Sequence, residues 1–206
     1  MEETKRRRFI IRAVLEGEVD VHEEPVPPLP PGVLYQLSAP VVLDGTNFID
    51  TGLQLMTQDR DFSIAYEFIN GVLPGDSLLF DCSDQYGNQT GLKVRASNGY
   101  IMQLQGKNAV MNMIKDEDSH YKAVLFHQAG SFSYKNRKRK STESGGWTAT
   151  INGTADPFAA SNNNLTIGAA SYNEAHDQKW KGTIVQFTVY DHVLTNQEIE
   201  DFIAFE

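Results

Sequence analysis

The run Ile184-Val185-Gln186-Phe187-Thr188-Val189-Tyr190 points most directly to the fold class. Val185, Phe187 and Val189 fall on one side of an extended chain, with Ile184, Gln186, Thr188 and Tyr190 on the other. Side chains of a strand point to opposite faces in turn, so this pattern predicts a strand resting one side on a core. Just beyond it, Thr195-Asn196-Gln197-Glu198 spells a capping box. The Thr195 hydroxyl is placed to accept from the backbone, and Glu198 to reach back. Ile199, Phe202 and Ile203 then share one helical face. A strand closed by one short terminal helix is the expectation.

The same alternation recurs elsewhere along the chain. It links Phe62, Ile64, Tyr66 and Phe68; Leu92, Val94 and Ala96; Tyr100, Met102 and Leu104; and Trp147, Ala149 and Ile151. Tyr121 to Phe126 is apolar on both faces, as in a central strand. Leu165 and Ile167 precede Gly168, and Asn152-Gly153 reads as a hairpin turn. Short strands separated by turn residues at this spacing predict an all-β fold, a two-sheet antiparallel β-sandwich of jelly-roll type.

The start of the chain differs from the rest. Lys5-Arg6-Arg7-Arg8 and Phe9 to Leu15 are followed by Glu16, Glu18, Asp20, Glu23 and Glu24, then by Pro25-Val26-Pro27-Pro28-Leu29-Pro30-Pro31. Five prolines in seven positions favour an extended polyproline-II spacer. Residues 1–31 are therefore read as an N-terminal arm and 32–206 as the sandwich.

A length of 206 residues suits one domain and an extra segment. The net charge of −9 disfavours nucleic acid as a partner, because a negative surface repels phosphate. The single cysteine, Cys82, rules out an internal disulfide and sits in a strand-like stretch with no activating motif, so it reads as a structural thiol. No stretch approaches the roughly 20 apolar residues that cross a bilayer, so no membrane insertion is expected. The apolar run at Phe9-Ile10-Ile11 is too short for a signal peptide. The expectation is synthesis in the bacterial cytoplasm, with the N-x-Thr sites at Asn88, Asn152 and Asn164 acting as turns.

Five pieces, in order, carry a family likeness. Val42-Leu43-Asp44-Gly45-Thr46-Asn47-Phe48-Ile49-Asp50-Thr51-Gly52 comes first, then Ala149-Thr150-Ile151-Asn152-Gly153, then Asn164-Leu165-Thr166-Ile167-Gly168-Ala169. Lys179-Trp180-Lys181-Gly182-Thr183-Ile184 and Phe187 to Ile199 complete the series. Across residues 40 to 200 the chain resembles concanavalin A-like and laminin-G (pentraxin-like) jelly-roll domains. The resemblance implies that Gly168 and Gly182 permit close backbone approach, that Trp180 is buried, and that Tyr190 and Leu194 seat the terminal turn. The basic, acidic and proline-rich opening resembles that of proteins grouped with phage and prophage tail, fibre or baseplate components of gut bacteria. That second likeness implies a virion protein present in many copies, with other virion proteins or a second copy of itself as partners.

Several residues are candidates for function. Sugar recognition needs aromatic faces beside amides and carboxylates. Tyr86, Trp147, Tyr172, Asn173 and Asp177, next to polar turns, are the expected ligand-binding residues. Arg6, Arg7 and Arg8 are expected to dock to a partner. So are Arg137, Lys138 and Arg139, in the basic run Lys135–Lys140 that reads as a hairpin loop. No metal or cofactor is expected: the resemblance implies that calcium is possible, with Asp81, Asp84, Asn173 and Asp177 as available oxygen ligands, but no spaced loop motif joins them. The five histidines show no zinc spacing. Glu18, Asp20 and Glu23 spell E-x-D-x-x-E, which resembles the acid pair of laminarinase-type glycosidases. They precede the spacer and the sandwich, where no sugar cleft is expected. The sequence thus points to a non-catalytic binding or structural module, no enzyme, that holds a partner protein or a surface glycan. A bacterial carbohydrate-binding or adhesion module is the alternative, and a glycosidase using Glu18 and Glu23 the remaining one.

Overall fold

The period-two pattern becomes two stacked sheets. The computed structural model describes residues 28–37, 39–58, 60–72, 75–83, 91–96, 100–104, 107–110, 117–128, 131–138, 147–152, 160–172 and 178–204, with backbone placement alone for 101–110 and 131–152. The strands are β1 (Val33–Gln36), β2 (Val41–Asp44), β3 (Ile49–Asp50), β4 (Phe62–Asn70), β5 (Ser77–Asp81), β6 (Leu92–Ala96) and β7 (Tyr100–Leu104). They continue with β8 (Lys107–Val110), β9 (His120–Gln128), β10 (Ser131–Lys138), β11 (Trp147–Asn152), β12 (Thr166–Ile167) and β13 (Lys181–Tyr190). The single described helix, α1, spans Asn196–Ile203, far short of a membrane crossing.

A seven-stranded sheet runs β1-β13-β4-β9-β10-β11, with β2 also paired to β13. A six-stranded sheet runs β3-β12-β5-β6-β7-β8. Every described ladder is antiparallel, so the all-β sandwich and its terminal helix stand as expected.

The inner faces meet in an aromatic core. Phe62, Ile64, Tyr66 and Phe68 from β4 all enter it, as their alternation requires. Phe80, Tyr100, Tyr121, Trp180 and Phe187 join them. The rings meet edge-on as well as stacked: Tyr66 lies 5.2 Å from Phe80 at 78°, and Phe68 lies 5.9 Å from Trp180 at 79°. Such edge-to-face pairs align the ring quadrupoles favourably. At one end of this core the Trp180 indole N–H donates to the Tyr100 hydroxyl at 2.8 Å, which donates to Asn70 Oδ1 at 2.5 Å. This relay ties β7 of one sheet to β4 of the other and satisfies polar groups that would otherwise be stranded. Gly182 lies at φ +148°, and a Cβ there would collide with the Trp180 ring and the Ile69 carbonyl. The close approach expected at this glycine is what lets Trp180 lie under β13.

Two local expectations need correction. The alternation at 184–190 is broken by a bulge between Ile184 and Gln186. An extra residue in one strand of a pair shifts the facing of the residues after it. Ile184 therefore enters the core with Phe187 and Val189, and Val185 does not. Asn152 ends β11, and Gly153, with the hairpin turn expected there, lies outside the described residues. Lys135, Asn136, Arg137 and Lys138 are not loop: they lie in β10, paired to β9 throughout and to β11 as far as Asn136.

The outer side of the seven-stranded sheet is partly covered by α1. Ile199 and Ile203 pack with Ala65, Val124 and Leu194, with Phe126, Tyr190 and Phe202 at the border. Both halves of the capping box form: Thr195 N–H donates to Glu198 Oε2 at 2.8 Å, and Glu198 N–H to Thr195 Oγ1 at 3.3 Å. Cys82 is buried, its thiol donating to the Leu92 carbonyl at 3.3 Å, and burial raises its pKa, consistent with an inert structural role.

The relay makes a testable claim. Tyr100→Phe removes the acceptor of a buried indole N–H, which costs about 2 kcal/mol. A chain of this size should then melt roughly 4–8 °C lower. An unchanged melting temperature would show that the relay is not a fastening.

Candidate functional site

The strands that fill the core also present their other side chains outward. On β4, Glu67 lies between the core residues Tyr66 and Phe68, and so faces away from them. On β9, Lys122 lies between Tyr121 and Ala123 in the same way. On β13, the bulge sets Gln186 opposite Glu67 while Phe187 turns inward. Backbone register then aligns Gln186, Glu67, Lys122 and Arg137 in one row across four strands. The next row holds Val42, Thr183, Ile69 and His120.

This face is the part of the sheet left open beside α1. The His120 ring contacts Glu67 Oε1 through Nε2 at 2.6 Å, with side-chain exposures of 12% and 13%. Both groups are thus held in place yet still reach solvent. Lys122 donates to the Ala204 carbonyl at 2.8 Å and lies 5.9 Å from the Phe202 ring. The last turn of α1 has no basic residue, so Lys122 supplies the cation that its carbonyl end favours. Val42 and Val72 are 66% and 61% exposed, the large apolar side chains most open to water among those described. Amide, carboxylate and imidazole beside small apolar side chains and a border aromatic can bind hydroxyl-bearing ligands from donor and acceptor groups at once. The row itself contributes one carboxylate. The usual hydrolysis of a glycosidic bond takes two, about 5–10 Å apart.

The family model for the concanavalin A-like lectin/glucanases superfamily matches residues 43–200. The chain belongs to this superfamily. Among solved structures, the lectin-like fold is similar to the CBM40 module of the Ruminococcus gnavus IT-sialidase bound to α2,3-sialyllactose. That match has a TM-score of 0.62 at 15% identity and covers 84% of this chain and 100% of that one. It is also similar to the leech intramolecular trans-sialidase complexed with 2,7-anhydro-Neu5Ac, with a TM-score of 0.59 at 16% identity, covering 86% of this chain and 29% of that one. The K499G mutant of the NanB sialidase from Streptococcus pneumoniae gives a TM-score of 0.58 at 13% identity, covering 82% and 28%. At these identities the likeness is one of fold. No curated protein sequence matches the chain.

The lectin-like sandwich separates the residues expected from sequence. Tyr172 lies over the six-stranded sheet, half-buried. Its hydroxyl donates to Gln178 Oε1 at 3.1 Å, and the Lys93 ammonium lies 5.6 Å from its ring. Trp147 begins β11 in the other sheet, so the two aromatics do not share a strand layer. Arg137 and Lys138 are placed by backbone in β10. Tyr86, Asn173, Asp177, Asp84, Arg6, Arg7, Arg8, Arg139, Glu18, Asp20 and Glu23 lie outside the described residues. Glu67, His120, Lys122 and Gln186 were missed. Their signal was the outward half of the alternation that revealed the core.

Asp81 is not open to calcium. It is fully buried, and its Oδ1 accepts from Ser83 N at 2.9 Å and Ser83 Oγ at 2.6 Å. Its Oδ2 accepts from Ser171 N at 2.8 Å, which fastens the turn after β12 onto the sheet. Among the described residues no cluster of three His, Cys, Asp or Glu could hold a metal.

Burial raises the Asp81 pKa above its ordinary value, against the hydrogen bonds from Ser83 and Ser171 and the charge of Lys93. A carboxyl with a raised folded pKa contributes stability that is full below its unfolded value and is lost as pH rises through the folded one. Asp81→Asn stays neutral throughout. The stability difference between variant and wild type should therefore move in the variant's favour from about pH 4 to pH 7. Urea unfolding at both values measures it, and movement in the opposite sense contradicts the assignment.

Proposed function

We propose that this chain is a non-catalytic glycan-binding module whose ligand lies on the open outer face of the seven-stranded sheet. The observation that carries the reading is the cross-strand set Gln186, Glu67 and His120, held by backbone register and still reached by solvent. Sugar hydroxyls each donate and accept, and this set offers both kinds of partner. Phe202 and the apolar Val42 and Ile69 flank it, as the less polar faces of a pyranose require. The comparisons support the same reading. The chain spans the full length of a carbohydrate-binding module solved with sialyllactose, and under a third of the two sialidases. A module of that size suits binding without hydrolysis. A particle-borne setting is proposed on the 1–31 arm; loss of the chain from purified particles when residues 1–31 are deleted would support it.

The test is a panel of surface glycans, sialyllactose isomers included, screened with the full chain and followed by calorimetry. One glycan class should bind without release of free sugar. Glu67→Ala and Gln186→Ala should each weaken binding about tenfold, equivalent to roughly 1.4 kcal/mol, while melting cooperatively. A panel with no bound glycan, or two variants that bind like wild type, overturns the proposal.

A further inference from the structure

One contact on the open face of the seven-stranded sheet joins an acid to a base. His120 Nε2 lies 2.6 Å from Glu67 Oε1, and both side chains still reach solvent. An ionised carboxylate only accepts hydrogen bonds, so the proton between them is carried by Nε2. Nδ1 is then the nitrogen that takes up a proton in acid, which turns the ring into an imidazolium.

The groups around His120 are of other kinds. Lys122 stands two positions further along β9, Glu117 and Asp118 precede the strand, and Ile69 is the register partner on β4. β13 brings Thr183 and Gln186, β2 brings Val42, and Arg137 on β10 stands in register with Lys122. α1 carries Glu200 and Asp201 in the turn before Ala204. Of these chemical classes, imidazole alone ordinarily changes charge between pH 5 and 8. Neither cation is placed to serve a second anion beside Glu67. Lys122 is engaged by the Ala204 carbonyl at 2.8 Å, and Arg137 stands two strands from Glu67, about 10 Å away.

We infer that this face holds a neutral glycan whose hydroxyls donate to Glu67, and releases it as His120 takes up a proton; the inference rests on the reading proposed above for the same face. While His120 is neutral, Glu67 keeps the charge that makes a carboxylate a strong acceptor. Once His120 is charged, a cation 2.6 Å away cancels most of that field, and the sugar hydroxyls lose a fully charged partner. The sign depends on the ligand. A sugar acid would set a second anion beside Glu67, and would bind better, not worse, as His120 gains charge.

Calorimetry of the full chain tests this with lactose, N-acetyllactosamine and cellobiose as neutral probes and α2,3-sialyllactose as the acidic counterpart. The best neutral ligand should bind about fivefold more weakly at about pH 5.5 than at about pH 8, the gap between a hydrogen bond to a charged acceptor and one to a neutral acceptor. His120→Gln should level that ratio, whatever its affinity at either pH. His192→Gln, whose ring lies beside Asp191 just before α1, should keep the ratio. Should His120→Gln fail to fold, the wild-type ring is followed by NMR: bound glycan should lower the pH at which His120 takes up its proton, and an unmoved midpoint overturns the inference. Affinity that is level across the range or rises in acid, or a preference for sialyllactose, overturns this inference and leaves a glycan on the face. Binding of none of the four sugars at either pH overturns the reading of the face as well.

Discussion

The two sheets are fastened to one another by the short chain of donors from Trp180 through Tyr100 to Asn70. A sandwich held by apolar contact alone resists sliding of one sheet over the other only through side-chain interlock. The relay adds direction, because a hydrogen bond fixes distance and angle where dispersion does not. It also decides what residue 182 must be. With the indole seated there, the backbone of β13 can pass only where no Cβ exists. From that point β13 runs through the centre of the larger sheet, with β4 on one side and β1 and β2 sharing the other. The bulge after Ile184 then places Gln186 against Glu67.

The two outer faces of the sandwich are used differently. On the six-stranded sheet the chain after β12 folds back over Asp81. Ser171 donates to its carboxylate and, through its hydroxyl, to the Ser83 carbonyl at 2.6 Å; Asn163 donates to Ser83 and Ser171 carbonyls at 2.8 and 3.1 Å. These bonds satisfy a loop that would otherwise leave backbone groups unpaired. On the seven-stranded sheet the cover is a helix, and it protects only part of the surface. The polar groups beyond its end are paired with one another and stay within reach of a ligand.

Much of the fold was legible because strand alternation and the capping box are local signals. Phe62 to Phe68 and Thr195 to Glu198 carry their own instructions, and the structure obeys both. The bulge at 185 was not legible. It arises where β13 meets β4, and nothing in Ile184-Val185-Gln186 distinguishes one apolar residue inside from the other. The candidate site was hidden for a related reason. Glu67, His120 and Gln186 are far apart in the chain and come together only through register. Attention to aromatic residues in turns led instead to Tyr172, whose ring stands beside a buried lysine. Asp81 was a possible ion ligand through the family resemblance, and only its three donors reveal that it is already occupied.

Because each of these strands shows one side to the interior and the other to solvent, the outward positions form an interchangeable panel. Exchanging Glu67, Lys122 or Gln186 alters the chemistry on display without disturbing Tyr66, Phe68 or Phe187 behind them. A scaffold arranged in this way can acquire new specificities by surface change alone, its interior remaining constant from one specialised descendant to the next.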